Sequence, residues 1–284
     1  MPPFIHEDVV FLETLGKGGF GIVKKAYHKK LERFIALKSF FDNVSLEEML
    51  EQIKLENDLL LKIETIRKNN ENSCFLTYDG IFIDSNSKNK NNLLLQMESG
   101  ICTLDSILKA GKKYSCDELL YVLKKLVMGF TLLQENGIAN RDIKPANVIL
   151  VHDDHDENCF FYKISDFGIG SQISKESYLV SSKTITGYTS KFAAPEVIEL
   201  AKLEQEKQYN PYVADVYSLG ITIFKMMDYS HGKTKLNLLN EKSFFENYPP
   251  FQVIFEKMLQ KDPNKRFDFK QMNSYLDEIA GSVL

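Results

Sequence analysis

The chain has 284 residues, of which 44% are apolar and 26% charged, and its formal net charge is -4. These values are ordinary for a globular protein, and the slight acidity gives no support to a nucleic-acid or membrane-surface partner, either of which favours a basic surface. Cys74, Cys102, Cys116 and Cys159 form no C-x-x-C pair and are interpreted as reduced thiols. With no membrane-spanning apolar run and no secretory signal pattern, we expect a soluble intracellular protein, cytoplasmic or nuclear.

Two regions differ in their hydrophobic patterns. In the first, runs rich in β-branched and aromatic residues predict strands over Val9–Leu15, Gly21–Tyr27, Phe34–Phe40, Phe75–Ile83 and Leu93–Met97, interrupted by one helix over Ser45–Ile63. In the second, helical periodicity predicts helices over Ser115–Asn136, Ala214–Met227 and Phe251–Leu259. The expected class is α+β in one domain over 1–284. It would have a small β-rich lobe over about 1–98, a hinge at about 97–101 and a larger, mostly helical lobe over about 102–284.

A glycine-rich segment, Gly16–Gly21, fits the pattern G-x-G-x-x-G. The residues that follow, Ile22–Tyr27, begin with a β-branched pair and offer no helix cap. The glycines are therefore expected at the tip of a β-hairpin, not at the start of a dinucleotide-binding helix. Such a tip lets backbone N–H groups approach phosphates closely. The alternative, an ordinary glycine-rich turn, is less favoured because a strand and then Lys38 follow.

Lys38 is a cation in a predicted strand, where a lysine is ordinarily a solvated surface residue. The next helix offers it a partner, because Glu56 lies on the same helical stripe as Ile53 and Leu60. A carboxylate on an apolar helix face is costly unless it is paired. We therefore predict an ion pair between Lys38 and Glu56. Glu64 lies off the stripe and is interpreted as a surface charge.

The segment from Asn140 to Asn147 contains Asp142, Lys144 and Asn147, and Asp166 opens a D-F-G tripeptide further along the chain. Transfer of a phosphoryl group to a hydroxyl needs a carboxylate that orients the attacking oxygen. It also needs ligands for Mg²⁺ and a cation near the transferred group. Asp142 can supply the carboxylate, Asn147 and Asp166 the metal ligands, and Lys144 the cation.

With these motifs in this order, the chain resembles the eukaryotic protein kinases, from Leu15 to Arg266. The resemblance implies the bilobal protein-kinase fold, with ATP and Mg²⁺ between the lobes and transfer of the γ-phosphoryl group to a protein. Lys144 followed by Pro145, and Thr189 ahead of an Ala-Pro-Glu tripeptide, are similar to the serine/threonine class.

The resemblance implies catalytic roles for Asp142, Lys144, Lys38 and Glu56, and metal binding by Asn147 and Asp166. Nucleotide contacts are implied for Leu15, Gly16, Lys17, Gly18, Gly19, Phe20, Gly21, Val23, Ala36, Lys38, Met97, Glu98, Gly100 and Ile149. Cys102, which follows the hinge, is expected at the front rim of the ATP cleft.

Two positions depart from the family pattern. Asn140 stands where the family has His, and Tyr217 stands where it usually has Trp. The family's His packs under the metal-binding loop, so the change to Asn140 bears on the stability of the active arrangement. Arg141, in the family, pairs with a phosphorylated residue of the hydroxyl-rich segment that follows the D-F-G tripeptide, and our preferred sites are Thr184 and Thr186.

The segment from Thr189 to Glu196 is implied to end in a structural lock. Glu196 is expected to pair with Arg266, and the Thr189 hydroxyl is expected to contact Asp142 and Lys144. In protein kinases this segment builds a peptide-docking platform, which argues against a small-molecule acceptor. The resemblance therefore favours protein substrates.

The main alternative function is a catalytically weak kinase-fold scaffold. That alternative predicts loss of Lys38, Asp142, Asn147 or Asp166, and all four are present. The prediction is therefore a serine/threonine protein kinase that acts on protein substrates, without nucleic acid. An upstream kinase or another regulatory partner is a further expectation.

Overall fold

The computed structural model describes residues 4–18, 21–40, 46–70, 73–84, 92–152, 160–168, 170–173, 178–185, 187–227 and 242–283. The chain divides into two compact units, Met1–Ile101 and Cys102–Leu284. The first is rich in strands and the second is mostly helical, which confirms the predicted α+β class.

The first unit contains a five-stranded antiparallel sheet with the order β1-β2-β3-β5-β4. Its strands are β1 Val9–Gly18, β2 Gly21–His28, β3 Arg33–Phe40, β4 Tyr78–Asp84 and β5 Asn92–Glu98. Helix α1, Leu46–Lys68, lies between β3 and β4 in the chain and continues past the predicted end at Ile63. The predicted strand from Phe75 begins only at Tyr78, where the pairing with β5 starts.

The sheet buries apolar side chains on both faces. One cluster contains Phe4, Val9, Ala26, Ile35, Leu37 and Leu94. The other contains Ile53 of α1 together with Tyr78, Ile81, Leu93 and Leu95. Side chains alternate between faces along a strand, so Lys38, which pairs with Leu95, lies on the face that α1 covers.

The second unit is built from helices and three small sheets. Its helices are α2 Leu104–Lys109, α3 Cys116–Glu135, α4 Pro195–Leu200, α5 Pro211–Met227, α6 Pro249–Met258 and α7 Phe269–Val283. Its strands are β6 Cys102–Thr103, β7 Ile138–Ala139, β8 Val148–His152, β9 Phe160–Ile164, β10 Ser171–Gln172, β11 Val180–Ser181 and β12 Gln208–Tyr209. They pair as β6-β8-β9, β10-β7 and β11-β12.

Helix α5 forms the centre of the second unit because nearly all of its residues are buried. Its close approach to α6 depends on Gly220. A Cβ atom at that position would lie 2.7 Å from Leu259 Cδ2 and 3.1 Å from Met258 Cβ. Helix α7 is tied to α3 through Gln134, whose side chain donates to Asp268 (2.9 Å) and accepts from the Phe269 N–H (3.0 Å).

Among the described residues, Cys74, Cys102 and Cys116 form no disulfide, and Cys159 lies outside the described residues. Burial raises the pKa of the Cys102 thiol, which reduces its thiolate fraction at neutral pH. Among the described residues, no helix has both the length and the apolar character needed to cross a bilayer.

Removal of the α3 N-cap should destabilise the second unit. The Ser115 hydroxyl accepts from the Glu118 N–H (3.1 Å), and the Glu118 carboxylate accepts from the Ser115 N–H (2.7 Å). Ser115→Ala should lower the free energy of unfolding by about 1 kcal/mol, measured by chemical denaturation. Ser115→Asp keeps an acceptor and is the control. Equal stability of the alanine variant and the wild type would contradict the capping role.

Candidate active site

A buried carboxylate holds the start of the catalytic segment. Asp215 of α5 accepts from the backbone N–H groups of Asn140 (2.8 Å, at Oδ2) and Arg141 (2.9 Å, at Oδ1). Burial raises the pKa of Asp215 to about 7, whereas these two hydrogen bonds and the nearby Arg141 charge favour the ionised form. Arg141 adopts a positive φ of 68°, so the chain turns sharply just ahead of Asp142.

Three side chains form hydrogen bonds with the Asp142 carboxylate. Lys144 Nζ donates to Asp142 Oδ2 (2.6 Å), and the Thr189 hydroxyl donates to Asp142 Oδ1 (2.8 Å). Lys144 Nζ also lies 3.1 Å from Thr189 Oγ1. Asn147 Nδ2 donates to Asp142 Oδ2 (3.1 Å) and to the Asp142 backbone carbonyl (3.0 Å). The contacts expected between Thr189, Asp142 and Lys144 are therefore present.

Asn140 connects the catalytic segment to the segment that contains Asp166. Its side-chain oxygen accepts from the Asp142 N–H (3.1 Å), and its Nδ2 donates to the Asp166 carbonyl (3.4 Å). Asn140 is only 2% exposed. From the sequence, the change from the family's His to Asn140 is expected to bear on the stability of the active arrangement. In the structure the small amide of Asn140 contacts both segments.

Asp166 and Asn147 are positioned by further backbone contacts. The backbone N–H and hydroxyl of Ser165 both donate to the Asn147 carbonyl, at 2.9 and 3.0 Å. Asp166 is exposed, has a positive φ of 55°, and accepts from the Gly168 N–H (3.2 Å) at Oδ1. The Asn147 amide nitrogen donates to Asp142, which leaves the amide oxygen available to a cation. Together with the Asp166 carboxylate it offers the hard oxygen donors that Mg²⁺ prefers.

The described residues contain no group of three or more His, Cys, Asp or Glu side chains that could hold a metal ion. The amide of Asn147 is not part of such a group. A metal held here would have two protein ligands, and the common mode for Mg²⁺ is one or two protein ligands completed by phosphates and water. The residues present therefore fit a phosphate-bound Mg²⁺.

In the first unit, the predicted ion pair is present: Lys38 Nζ lies 2.9 Å from Glu56 Oε1. The two side chains are 11% and 12% exposed, so the pair is largely shielded from water. The interpretation of Glu64 as a surface charge was wrong. Glu64 is 7% exposed, forms two hydrogen bonds with Arg67 (both 2.8 Å) and accepts from the Tyr78 N–H (3.3 Å). Sequence periodicity missed it because β4 covers that side of α1.

The sheet register aligns several residues expected to contact nucleotide. Gly16 pairs with Val23, Val23 with Lys38, and Ala36 with Met97. A Cβ atom at Gly16 would meet no atom of the described residues within 4 Å, apart from its chain neighbours, so packing among those residues does not require a glycine there. Open space beside this strand is what a closely approaching phosphate would need.

The other expected nucleotide contacts lie at several points of the chain. Gly18 pairs with Gly21 at the end of the β1–β2 hairpin, as the strand prediction required. Glu98 exchanges backbone and side-chain hydrogen bonds with Thr77, both at 2.9 Å, and Gly100 follows β5. Ile149 lies on β8 of the second unit. Gly19 and Phe20 lie outside the described residues.

The segment after Asp166 is held by strand pairing and by hydrogen bonds of its serine residues. Strand β11 pairs with β12, and backbone and hydroxyl groups of Ser182 bond to Lys207 (2.7 and 3.0 Å). Glu206 accepts from the Ser181 hydroxyl (2.6 Å) and pairs with Lys183 (2.9 Å). These bonds lower the pKa of Glu206. Sequence reasoning missed Glu206, because a surface acid far along the chain gives no pairing signal.

Arg141, which the family resemblance pairs with a phosphorylated residue, contacts the hydroxyl-rich segment through a backbone carbonyl. Its guanidinium donates to the Thr184 carbonyl and lies beside the Tyr209 hydroxyl. Burial raises the pKa of Tyr209, and the Arg141 charge opposes that rise. Phosphorylation of Thr184 stays a prediction, and Thr186 lies outside the described residues.

The expected lock between Glu196 and Arg266 is present. The Arg266 guanidinium donates to both Glu196 oxygens (2.6 and 3.2 Å) and to the carbonyls of Val213 (3.0 Å) and Gln260 (2.6 and 3.0 Å). Arg266 is 3% exposed, and its guanidinium lies 4.9 Å from the centre of the Tyr217 ring. Tyr217 therefore covers the lock as an aromatic residue in place of the family's Trp.

Comparisons with known proteins agree with this geometry. A family model described as protein kinase domain matches residues 9–275. The chain is 30% identical to serine/threonine-protein kinase pakF of Dictyostelium discoideum, over 92% of this chain and 21% of that protein. It is 29% identical to pakH of the same organism (92% and 47%) and 24% identical to ribosomal protein S6 kinase alpha-1 of Rattus norvegicus (92% and 34%). The chain thus spans 47% or less of the length of these three relatives.

Replacement of the buried Arg266 should remove its ion pair with Glu196 and destabilise the protein. Arg266→Met should lower the free energy of unfolding by about 3–5 kcal/mol, because it leaves Glu196 with no cation and removes donors from two carbonyls. Chemical denaturation of the single variants and of Glu196→Gln/Arg266→Met forms a double-mutant cycle. The double variant should lose less than the sum of the single losses. Strict additivity would show that the two side chains do not stabilise one another.

Proposed function

This chain belongs to the protein kinase family, and we propose that it is an active serine/threonine protein kinase that transfers the γ-phosphoryl group of ATP to a protein hydroxyl. The observation that carries the proposal is the convergence of Lys144, Asn147 and Thr189 on the Asp142 carboxylate. The relatives named above are serine/threonine kinases, which supports the same acceptor class.

Asp142 is suited to bind and orient an acceptor hydroxyl. Its Oδ1 already accepts a hydrogen bond from one hydroxyl, that of Thr189, at 2.8 Å. During transfer, the substrate oxygen forms a bond to the γ-phosphorus as the bond from that phosphorus to the bridging oxygen breaks, and ADP leaves. The hydroxyl proton passes to Asp142. Lys144, 2.6 Å from the carboxylate, would stabilise the negative charge on the transferred group.

Kinases of this family use ATP with a divalent metal, and Mg²⁺ is the metal that the donor set favours. When bound, Mg²⁺ neutralises phosphate charge and orients the γ-phosphoryl group. Asn147 and Asp166 would hold it. Hydrogen bonds from Asn147 to Asp142 and from Asn140 to the Asp166 carbonyl connect the metal ligands to the catalytic carboxylate. These bonds would keep both groups in a fixed relation.

The first unit would supply the nucleotide contacts. Lys38 would bind the α- and β-phosphates while Glu56 holds its ammonium group in place. Ala36, Val23, Met97 and the hairpin glycines would border the nucleotide, and the backbone groups of Glu98 and Gly100 would bind adenine. We propose that residues 1–284 form one kinase domain with a hinge at about 97–101, and that its substrates are proteins.

Replacement of the catalytic carboxylate tests the proposal. Asp142→Asn should reduce turnover by about 10²-fold to 10⁴-fold, because an amide cannot take the hydroxyl proton. Phosphate incorporation into a generic protein substrate, with radiolabelled ATP and Mg²⁺, measures the effect. Nucleotide affinity, measured by fluorescence, should change little and is the control. Wild-type turnover in the variant would contradict the role of Asp142.

The ion pair in the first unit makes a second, graded prediction. Lys38→Met should abolish most activity because it removes the phosphate ligand. Glu56→Gln should have a smaller effect because the amide can still accept a hydrogen bond from Lys38. Steady-state kinetics with varied ATP separates the two effects. Glu56→Lys is the stronger test of the pair, since it places two cations together. If Glu56→Lys retains full activity, the pair is not needed for catalysis.

A further inference from the structure

Lys225 is an unusual residue for its helix. Apart from this lysine, the C-terminal part of α5 from Ile221 to Met226 is buried, and Lys225 itself is only partly exposed. A partly buried ammonium group is costly unless an anion or a ring face compensates it. Within the described part of the chain, no carboxylate forms an ion pair with Lys225. The sequence shows one lysine within this mostly apolar run, but only the structure shows which residues surround it.

The neighbours of Lys225 are a ring and a second cation. Its Nζ lies 4.3 Å from the centre of the Phe192 ring. Burial lowers the pKa of Lys225, the charge of Lys191 lowers it further, and the charge of Asp105 acts in the opposite direction. Asp105 is itself paired with Lys109 at 2.6 Å. Lys191 is exposed and directly precedes Phe192, the residue whose ring Lys225 contacts, and among the described residues neither lysine forms an ion pair with a carboxylate.

Lys191 lies two residues after Thr189, and Thr189 and Phe192 line the same small cavity as Asp142. The N–H groups of Phe192 and Ala193 donate to the Thr189 carbonyl at 2.9 and 3.0 Å, which folds residues 189–193 into one tight turn. The Thr189 hydroxyl at the start of that turn contacts Asp142. The Phe192 ring near its end lies against Lys225. The turn that places the Thr189 hydroxyl on Asp142 therefore also contains Lys191 and the ring that Lys225 contacts.

We propose that Lys191 and Lys225 form an anion-binding subsite that selects substrates with a negatively charged side chain, carboxylate or phosphate, close to the acceptor hydroxyl. The proposal rests on the proposed kinase function and specifies its substrate class. An anion bound between the two ammonium groups would remove their mutual repulsion. Its contact with Lys225 would be stronger than an exposed ion pair because water is partly excluded there. The Phe192 ring, which lies against the Lys225 ammonium group, would limit how far an anion can enter the subsite.

Peptide kinetics can test the subsite directly. A serine peptide is made in variants that carry Glu, phosphoserine, Gln or Lys at each position within three residues of the acceptor. The wild type should phosphorylate peptides with Glu or phosphoserine at one or two positions at least about fivefold more efficiently, in kcat/KM, than the matched Lys peptides. The Glu and phosphoserine arms show which anion is preferred. Ratios between peptides cancel any general loss of activity in a variant.

The variants separate charge from packing. Lys225→Glu and Lys191→Glu should each abolish or reverse the preference, whereas Lys225→Arg should keep it. Lys225→Met retains an apolar side chain over Phe192 but should reduce the preference, which a purely structural role would not do. Lys270→Glu makes the same charge change at an exposed lysine of α7 and should leave the preference and the activity unchanged.

Two results would overturn the subsite. One is equal kcat/KM for the Glu and Lys peptides in the wild type, and the other is an unchanged preference in both charge-reversal variants. Failure of the kinase function is distinguishable, because the wild type would then phosphorylate none of the peptides. In that case fluorescence anisotropy of labelled Glu and Lys peptides still decides the matter. The Glu peptide should bind more tightly to the wild type than to Lys225→Glu, and equal affinities would reject the subsite.

Discussion

The catalytic part of this protein depends on one buried carboxylate. Asp215 is a buried acid in a helix most of whose residues are buried. Its two carboxylate oxygens accept hydrogen bonds from the backbone N–H groups of Asn140 and Arg141. Those two residues immediately precede Asp142, so the position of the catalytic carboxylate follows from the position of α5. Burial makes the arrangement rigid, since a backbone donor released from Asp215 would find no water to replace it.

From that anchor, polar contacts within the second unit extend to Asp142, Asn147 and the Asp166 carbonyl. Asn140 shows how a departure from a family pattern is accommodated. Its short amide contacts the Asp142 N–H and the Asp166 carbonyl, so the catalytic and metal-binding segments remain connected without an imidazole. Tyr217 is a second case, because its ring still lies against the Arg266 guanidinium. In both cases the chemistry of the contact is kept although the residue differs.

The segment that leads to the acceptor site is held at several points by charge and by backbone pairing. The β11–β12 pairing and Glu206 hold its first part, Arg141 contacts its middle, and the Glu196–Arg266 lock closes its end. A phosphate on Ser181 would face the Glu206 carboxylate and repel it, whereas one on Thr184 would lie closer to Arg141. Position within the segment therefore decides the sign of any effect of phosphorylation.

The sequence by itself determined the α+β class, most strand and helix positions and the Lys38–Glu56 pair, because spacing and periodicity are local properties of the chain. It also predicted roles for Asp142, Asn147 and Asp166, because their motifs resemble those of the protein kinases. Only the tertiary structure decided which polar groups are buried and what they meet. The sequence indicated a surface acid at Glu64, whereas in the structure the residue accepts a hydrogen bond from Tyr78 of β4. The contact of Arg141 with the Thr184 carbonyl could not be predicted from the sequence. The same holds for Lys225, whose neighbours Lys191 and Phe192 are distant in sequence. Burial and charge pairing between distant residues depend on how the elements pack, and no local pattern encodes that.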